Sequence, residues 1–85
     1  VLEERIAQMI QETPGVRKKV QDSSRFVEDL GFDSLKMTEL MAAMEDEFDL
    51  IITLEEAVSI RTVRDLKDTV KAALKSTKGV SDVAS

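Results

Sequence analysis

The sequence predicts an all-α domain, a small irregular bundle of four helices with a long loop after the first and a short third helix. Three observations carry this. Apolar residues recur at helical spacing in three separate stretches. Nothing alternates apolar and polar over more than a few residues, so no strand competes. The stretch Thr53-Leu54-Glu55-Glu56 has a hydroxyl followed three residues later by a carboxylate, the pattern of a capping box. At 85 residues the chain is one domain with one thin core.

The first helix spans residues 2–12, where Leu2, Ile6, Met9 and Ile10 form one stripe. Pro14 and Gly15 end it. A connection over 16–33 follows, with apolar anchors at Val16, Val20, Phe26, Val27 and Leu30. A loop this long is functional or pinned by its own apolar residues, and Phe26 and Leu30 are the expected pins.

Asp33 is the expected N-cap of a second helix over 34 to about 48. Leu40, Met41, Met44 and Phe48 form its stripe, and Leu35 and Met37 join at the start. The third helix ends near residue 59, with Ile52 before it and Ile60 after it as core candidates. Val63, Leu66, Val70, Ala73 and Leu74 then point inward from a fourth helix over 63–74. The domain is expected to occupy 1–75; residues 76–85 lack periodicity and read as a loose tail.

Composition narrows the chemistry. Cysteine and histidine are both absent, which removes thiolate chemistry, disulfides, the commonest general base and the commonest metal ligand. The net charge is −5, from 17 acids and 12 bases, which disfavours nucleic acid. No apolar run approaches the roughly 20 residues needed to cross a membrane. The start, Val-Leu-Glu-Glu-Arg, is amphipathic and charged rather than a secretory signal. The expectation is a monomeric cytoplasmic domain, bacterial first or organellar if eukaryotic, that is not an enzyme in its own right. The acidic run 45–49 lacks the ligand spacing of a calcium loop, so no metal is expected.

Ser34 follows Gly31, Phe32 and Asp33 at the start of the second helix. Orphan N–H groups and the helix dipole favour a phosphodiester on that oxygen. No base is supplied to activate it, so this suits an attachment site modified by another enzyme, with Asp33 helping that enzyme hold a metal ion.

Residues 26–49, Phe-Val-Glu-Asp-Leu-Gly-Phe-Asp-Ser-Leu-Lys-Met-Thr-Glu-Leu-Met-Ala-Ala-Met-Glu-Asp-Glu-Phe-Asp, strongly resemble the acyl carrier proteins of dissociated fatty-acid synthesis. The Asp33-Ser34-Leu35 signature matches with both flanks in register, and the likeness extends over about 2–74. The resemblance implies that Ser34 takes 4′-phosphopantetheine from coenzyme A through a phosphopantetheinyl transferase, with Asp33 and Leu35 beside it. It implies a carrier of acyl thioesters (a phosphoprotein in that sense). The acyltransferase, ketosynthase, ketoreductase, dehydratase and enoyl reductase of a dissociated synthase would then be its partners. Glu39, Glu45, Asp46, Glu47 and Asp49 would form a docking face, continued by Glu55 and Glu56. Phe26, Leu30, Leu40, Met41 and Met44 would form the core or acyl pocket, with Phe48, Ile52, Ile60 and Leu66. The alternatives are a specialised carrier for a polyketide or other lipid pathway, and a helical interaction module that carries nothing.

Three features depart from that family. Lys36 puts a positive charge in the first turn of a helix, where the dipole disfavours it by up to about 1 kcal/mol if exposed; it is either an exposed, tolerated lysine or one that re-tunes docking by repelling basic patches. Leu50, Ile51 and Ile52 cannot all face inward from an extended loop, so one is expected to close the pocket and another to meet a partner. Residues 33–56 hold eight acids and one base, whereas 60–78 hold six bases and two acids, so Arg61, Arg64, Lys67, Lys71 and Lys75 form a basic stripe.

Overall fold

The computed structural model describes residues 2–75 in full and carries the last helix on to Ala84. Four helices follow in order: α1 (Leu2–Gln11), α2 (Ser34–Phe48), α3 (Leu54–Ser59) and α4 (Val63–Ala84). The all-α expectation holds among the described residues. The sequence predicts a fourth helix that ends at 74 with a loose tail after it; instead α4 continues through 76–84, because no proline interrupts the backbone hydrogen bonding there.

Helix α1 buries Ile6 and Ile10 and packs on α4. Its end is closed by Thr13, whose hydroxyl donates to the Met9 carbonyl at 3.0 Å. The Gln11 amide then clasps the outgoing chain, donating to the Lys18 carbonyl at 2.9 Å and accepting the Val20 N–H at 2.9 Å.

The long connection is pinned at two levels. Phe26, Leu30 and Phe32 are buried, and Phe26 meets Phe32 edge-on with ring centroids 5.1 Å apart. The Phe32 N–H donates to the Phe26 carbonyl at 2.8 Å, closing the turn that holds both rings inward. Val27 is the correction among the expected anchors: that same turn leaves its side chain in solvent. Phe32 has no periodic partner in sequence, so only the tertiary structure shows it to be a third pin.

The connection is also stitched to the start of α4. The Val63 N–H donates to the Ser24 carbonyl, the Arg64 N–H to the Asp22 carbonyl, and the Phe26 N–H to the Arg61 carbonyl. Thr62 and Asp65 form a reciprocal cap. The Thr62 hydroxyl accepts the Asp65 N–H at 3.1 Å, while the Asp65 carboxylate accepts the Arg61 and Thr62 N–H groups. Those amide contacts hold the Asp65 carboxyl below its usual range. The orphan donors of α4 are therefore satisfied partly by its own cap and partly by the loop.

The core joins Ile6 and Ile10 to Phe26, Met44, Val63, Leu66 and Val70, all fully buried, and to Leu40 and Met41, which are nearly so. Leu50 is buried as well. Phe48, expected inside, is only half-buried at the last turn of α2, where Asp49 adopts a left-handed conformation (φ 53°) and turns the chain away.

Candidate functional site

The second helix begins where a tight turn delivers it. Gly31 sits at φ 73°, which favours glycine, and a Cβ built there would touch nothing. The glycine is thus needed for its backbone angle and not to clear space. Asp33 is the N-cap as expected: it is extended, and its carboxylate accepts the Lys36 N–H at 2.8 Å.

Ser34 is the first residue of α2 and is exposed. Its hydroxyl makes no hydrogen bond among the described residues; its carbonyl accepts the Thr38 hydroxyl at 2.9 Å. It stands at the mouth of a groove of about 730 Å³ between α2 and α3. The groove walls are mainly apolar: Met37 and Met41 from α2, Ile52 from the loop, Ala57 and Val58 from α3, and Ile60 beyond it. Val27, Leu54 and Val58 leave apolar surface open around the mouth, and Leu35 is exposed next to Ser34 instead of joining the core stripe.

Of the residues expected in the core or pocket, Met41, Ile52 and Ile60 line this groove. Those three also belong to the core, in which Phe26, Leu30, Leu40, Met44 and Leu66 are buried without lining the groove. The apolar triplet divides cleanly: Leu50 and Ile52 are buried and Ile51 is 77 % exposed.

The charged residues divide too. Glu39, Asp46, Asp49 and Glu55 are exposed and make no side-chain hydrogen bond or ion pair among the described residues. The other acids expected to form one docking face are engaged. Arg5 of α1 grips Glu47 through two nitrogens at 3.1 and 3.2 Å, which holds the Glu47 carboxyl below its usual range. The Glu56 carboxylate accepts the Thr53 N–H at 3.0 Å in the capping box of α3. The Glu45 carboxylate accepts the Ile52 N–H at 3.0 Å.

Lys36 is engaged as well. Its ammonium donates to the Pro14 carbonyl at 3.1 Å, in the turn that follows α1. The ammonium is thus satisfied by a backbone carbonyl outside α2, which offsets the dipole conflict expected from sequence. In the basic stripe, Lys67 pairs with Asp22 and Lys71 with Glu3, and each carboxyl is lowered by its lysine. Arg61, Arg64 and Lys75 stay exposed. These engagements join residues far apart in the chain, so no local pattern could reveal them. The Thr62–Asp65 cap did carry a local signal, the same hydroxyl-to-acid spacing seen at Thr53.

An exposed serine hydroxyl without a partner, orphan N–H groups behind it and no adjacent base make an acceptor for a phosphodiester, not a nucleophile that activates itself. Residues 4–70 match the family model described as a phosphopantetheine attachment site. Two solved structures are similar. One is a predicted acyl carrier protein from Mycobacterium tuberculosis, 38 % identical with a TM-score of 0.79 over 85 % of this chain and 97 % of that one. The other is an acyl carrier protein from Thermotoga maritima, 36 % identical with a TM-score of 0.75 over 89 % of each chain.

Proposed function

Because the chain belongs to the acyl carrier protein family, which carries 4′-phosphopantetheine and is not enzymatic, we propose that Ser34 is its attachment residue and that it serves a dissociated fatty-acid synthase. The observation that carries this is the free Ser34 hydroxyl at the start of α2, open to solvent at the mouth of an apolar groove.

The residues present fit the group. The first-turn N–H groups of α2 face a phosphate on Ser34 with favourable dipole. Asp33 is exposed beside it, although its carboxylate already caps the helix, so any metal contact uses its remaining lone pairs. In attachment the serine oxygen bonds to phosphorus, a P–O bond of the coenzyme A pyrophosphate breaks, and the adenosine bisphosphate half departs. The hydroxyl proton goes to a base on the transferase, since none is bonded to Ser34 here. The arm's terminal thiol then supplies the thioester linkage. Met37, Met41, Ile52 and Ile60 offer an acyl chain a dry surface. Glu39, Asp46, Asp49 and Glu55 remain for basic patches on successive enzymes, where complementary charge speeds encounter.

The test is intact mass after incubation with coenzyme A and a broad-specificity phosphopantetheinyl transferase. Wild type gains one phosphopantetheine and Ser34→Ala gains none. A gain in both would place the attachment elsewhere; a gain in neither would favour a helical module that carries nothing. Reconstitution with purified fatty-acid synthase enzymes separates the fatty-acid role from a specialised pathway.

A further inference from the structure

Glu45 does two things at once. Its backbone carbonyl accepts the Asp49 N–H and the Leu50 N–H, closing the end of α2. Its carboxylate reaches seven residues ahead to the Ile52 N–H at 3.0 Å. Among the described residues this is the one side-chain hydrogen bond that holds residues 49–52. Glu45 and Ile52 both line the groove beside Ser34. Glu45 is only partly exposed, unlike its neighbour Asp46.

The loop it holds has reason to move. Asp49 is the only non-glycine residue with positive φ among the described residues, a conformation that is strained for a residue with a Cβ. Ile51 contributes no buried anchor. Ile52 has to stay inward for the groove to keep that wall, and its backbone is fixed through the Glu45 carboxylate.

We propose that Glu45 is a positioning residue, a latch on the Ile52 wall that sets how well the groove retains a long acyl chain. The proposal rests on the carrier reading for its acyl chain, but not for the latch itself. It also sets Glu45 apart from the docking acids: what matters is an acceptor atom at the right reach, not the negative charge.

Two variants separate reach from charge. Glu45→Asp keeps the charge and withdraws the acceptor by one methylene. Glu45→Gln removes the charge and keeps an acceptor oxygen at full reach. The first readout is the amide exchange rate of Ile52, by NMR, in protein without the arm. Glu45→Asp raises it about tenfold, as expected for losing one ordinary hydrogen bond, while Glu45→Gln stays within about threefold of wild type. The second readout is thioester hydrolysis on the loaded protein. In Glu45→Asp a decanoyl thioester hydrolyses several-fold faster and an acetyl thioester, too short to use the groove, does not change.

An unchanged Ile52 rate in Glu45→Asp would overturn the latch, as would Glu45→Gln behaving worse than Glu45→Asp, which is the pattern of a docking charge. Equal acceleration of both thioesters would overturn the link to chain retention. If Ser34 cannot be loaded, the carrier reading fails by the mass test alone, and the Ile52 exchange still decides the latch.

Discussion

The ammonium of Lys36 donates to the carbonyl of Pro14 at 3.1 Å, across 22 residues of sequence. Gly15 makes this possible: a Cβ there would lie 2.7 Å from the Lys36 nitrogen, and its φ of 93° already favours glycine. The contact ties the turn after α1 to the first turn of the helix that bears Ser34.

Lys36→Met therefore lowers stability by about 1 kcal/mol, the typical worth of one such hydrogen bond, or about 4–8 °C in Tm for a domain of this size. Gly15→Ala costs more, because backbone strain adds to the clash. In the double variant the clash is relieved and the strain remains, so the two effects sum to more than the combined loss. A thermal melt of all four proteins checks this. Strict additivity would mean that the two residues do not meet.

Phe32→Ala and Phe48→Ala should differ sharply. Phe32 is buried against Phe26, and emptying such a site costs about 3–5 kcal/mol. That is a large part of the 5–15 kcal/mol typical of a whole domain. Phe48 is half-buried, so Phe48→Ala should cost clearly less. Urea midpoints for the two variants give the comparison, and equal losses would contradict the burial pattern.

The reciprocal cap at the start of α4 predicts a loss of about 1 kcal/mol for Thr62→Ala. It also predicts a pH signature. The Asp65 carboxyl is held low by the Arg61 and Thr62 N–H groups, and Asp29 by the Arg25 backbone and side chain. A lowered folded-state value means stability that is fully present above the unfolded value, about 4, and lost as pH falls through the folded one. The Tm gap between wild type and Asp65→Asn should be constant from pH 7 to about 5 and shrink below about 4. A gap that widens with acid would reverse the sign.

Glu39, Asp46, Asp49 and Glu55 carry exposed negative charge with no ion-pair partner among the described residues, in a chain of net charge −5. Moderate salt should raise Tm, because relief of this repulsion outweighs the weakening of exposed ion pairs, which contribute little. Asp46→Lys should leave Tm unchanged or higher while slowing association with the phosphopantetheinyl transferase, most of all at low salt. A Tm that falls with salt would show that the Arg5–Glu47 pair and the three other ion pairs among the described residues dominate instead.

The starts of the helices, the Asp33 and Thr53 caps, the pinning by Phe26 and Leu30, and Ser34 at a helix start without a base were all legible in sequence, whereas the end of α4, expected at 74, was not. Helical period and capping are relations within about four residues, so residue order is enough to express them. Sequence also split the basic and acidic halves of the chain. It could not say which charges were free. Only the packing turned Glu47 to Arg5, 42 residues away, Glu45 to the Ile52 backbone, and Lys36 to Pro14. It likewise decided that Phe32 goes in and Val27 stays out, and that Ile51 rather than Ile52 meets solvent. A residue's type fixes the charge or apolar surface that it brings. The partner it meets depends on how distant segments settle together, which no short-range pattern encodes.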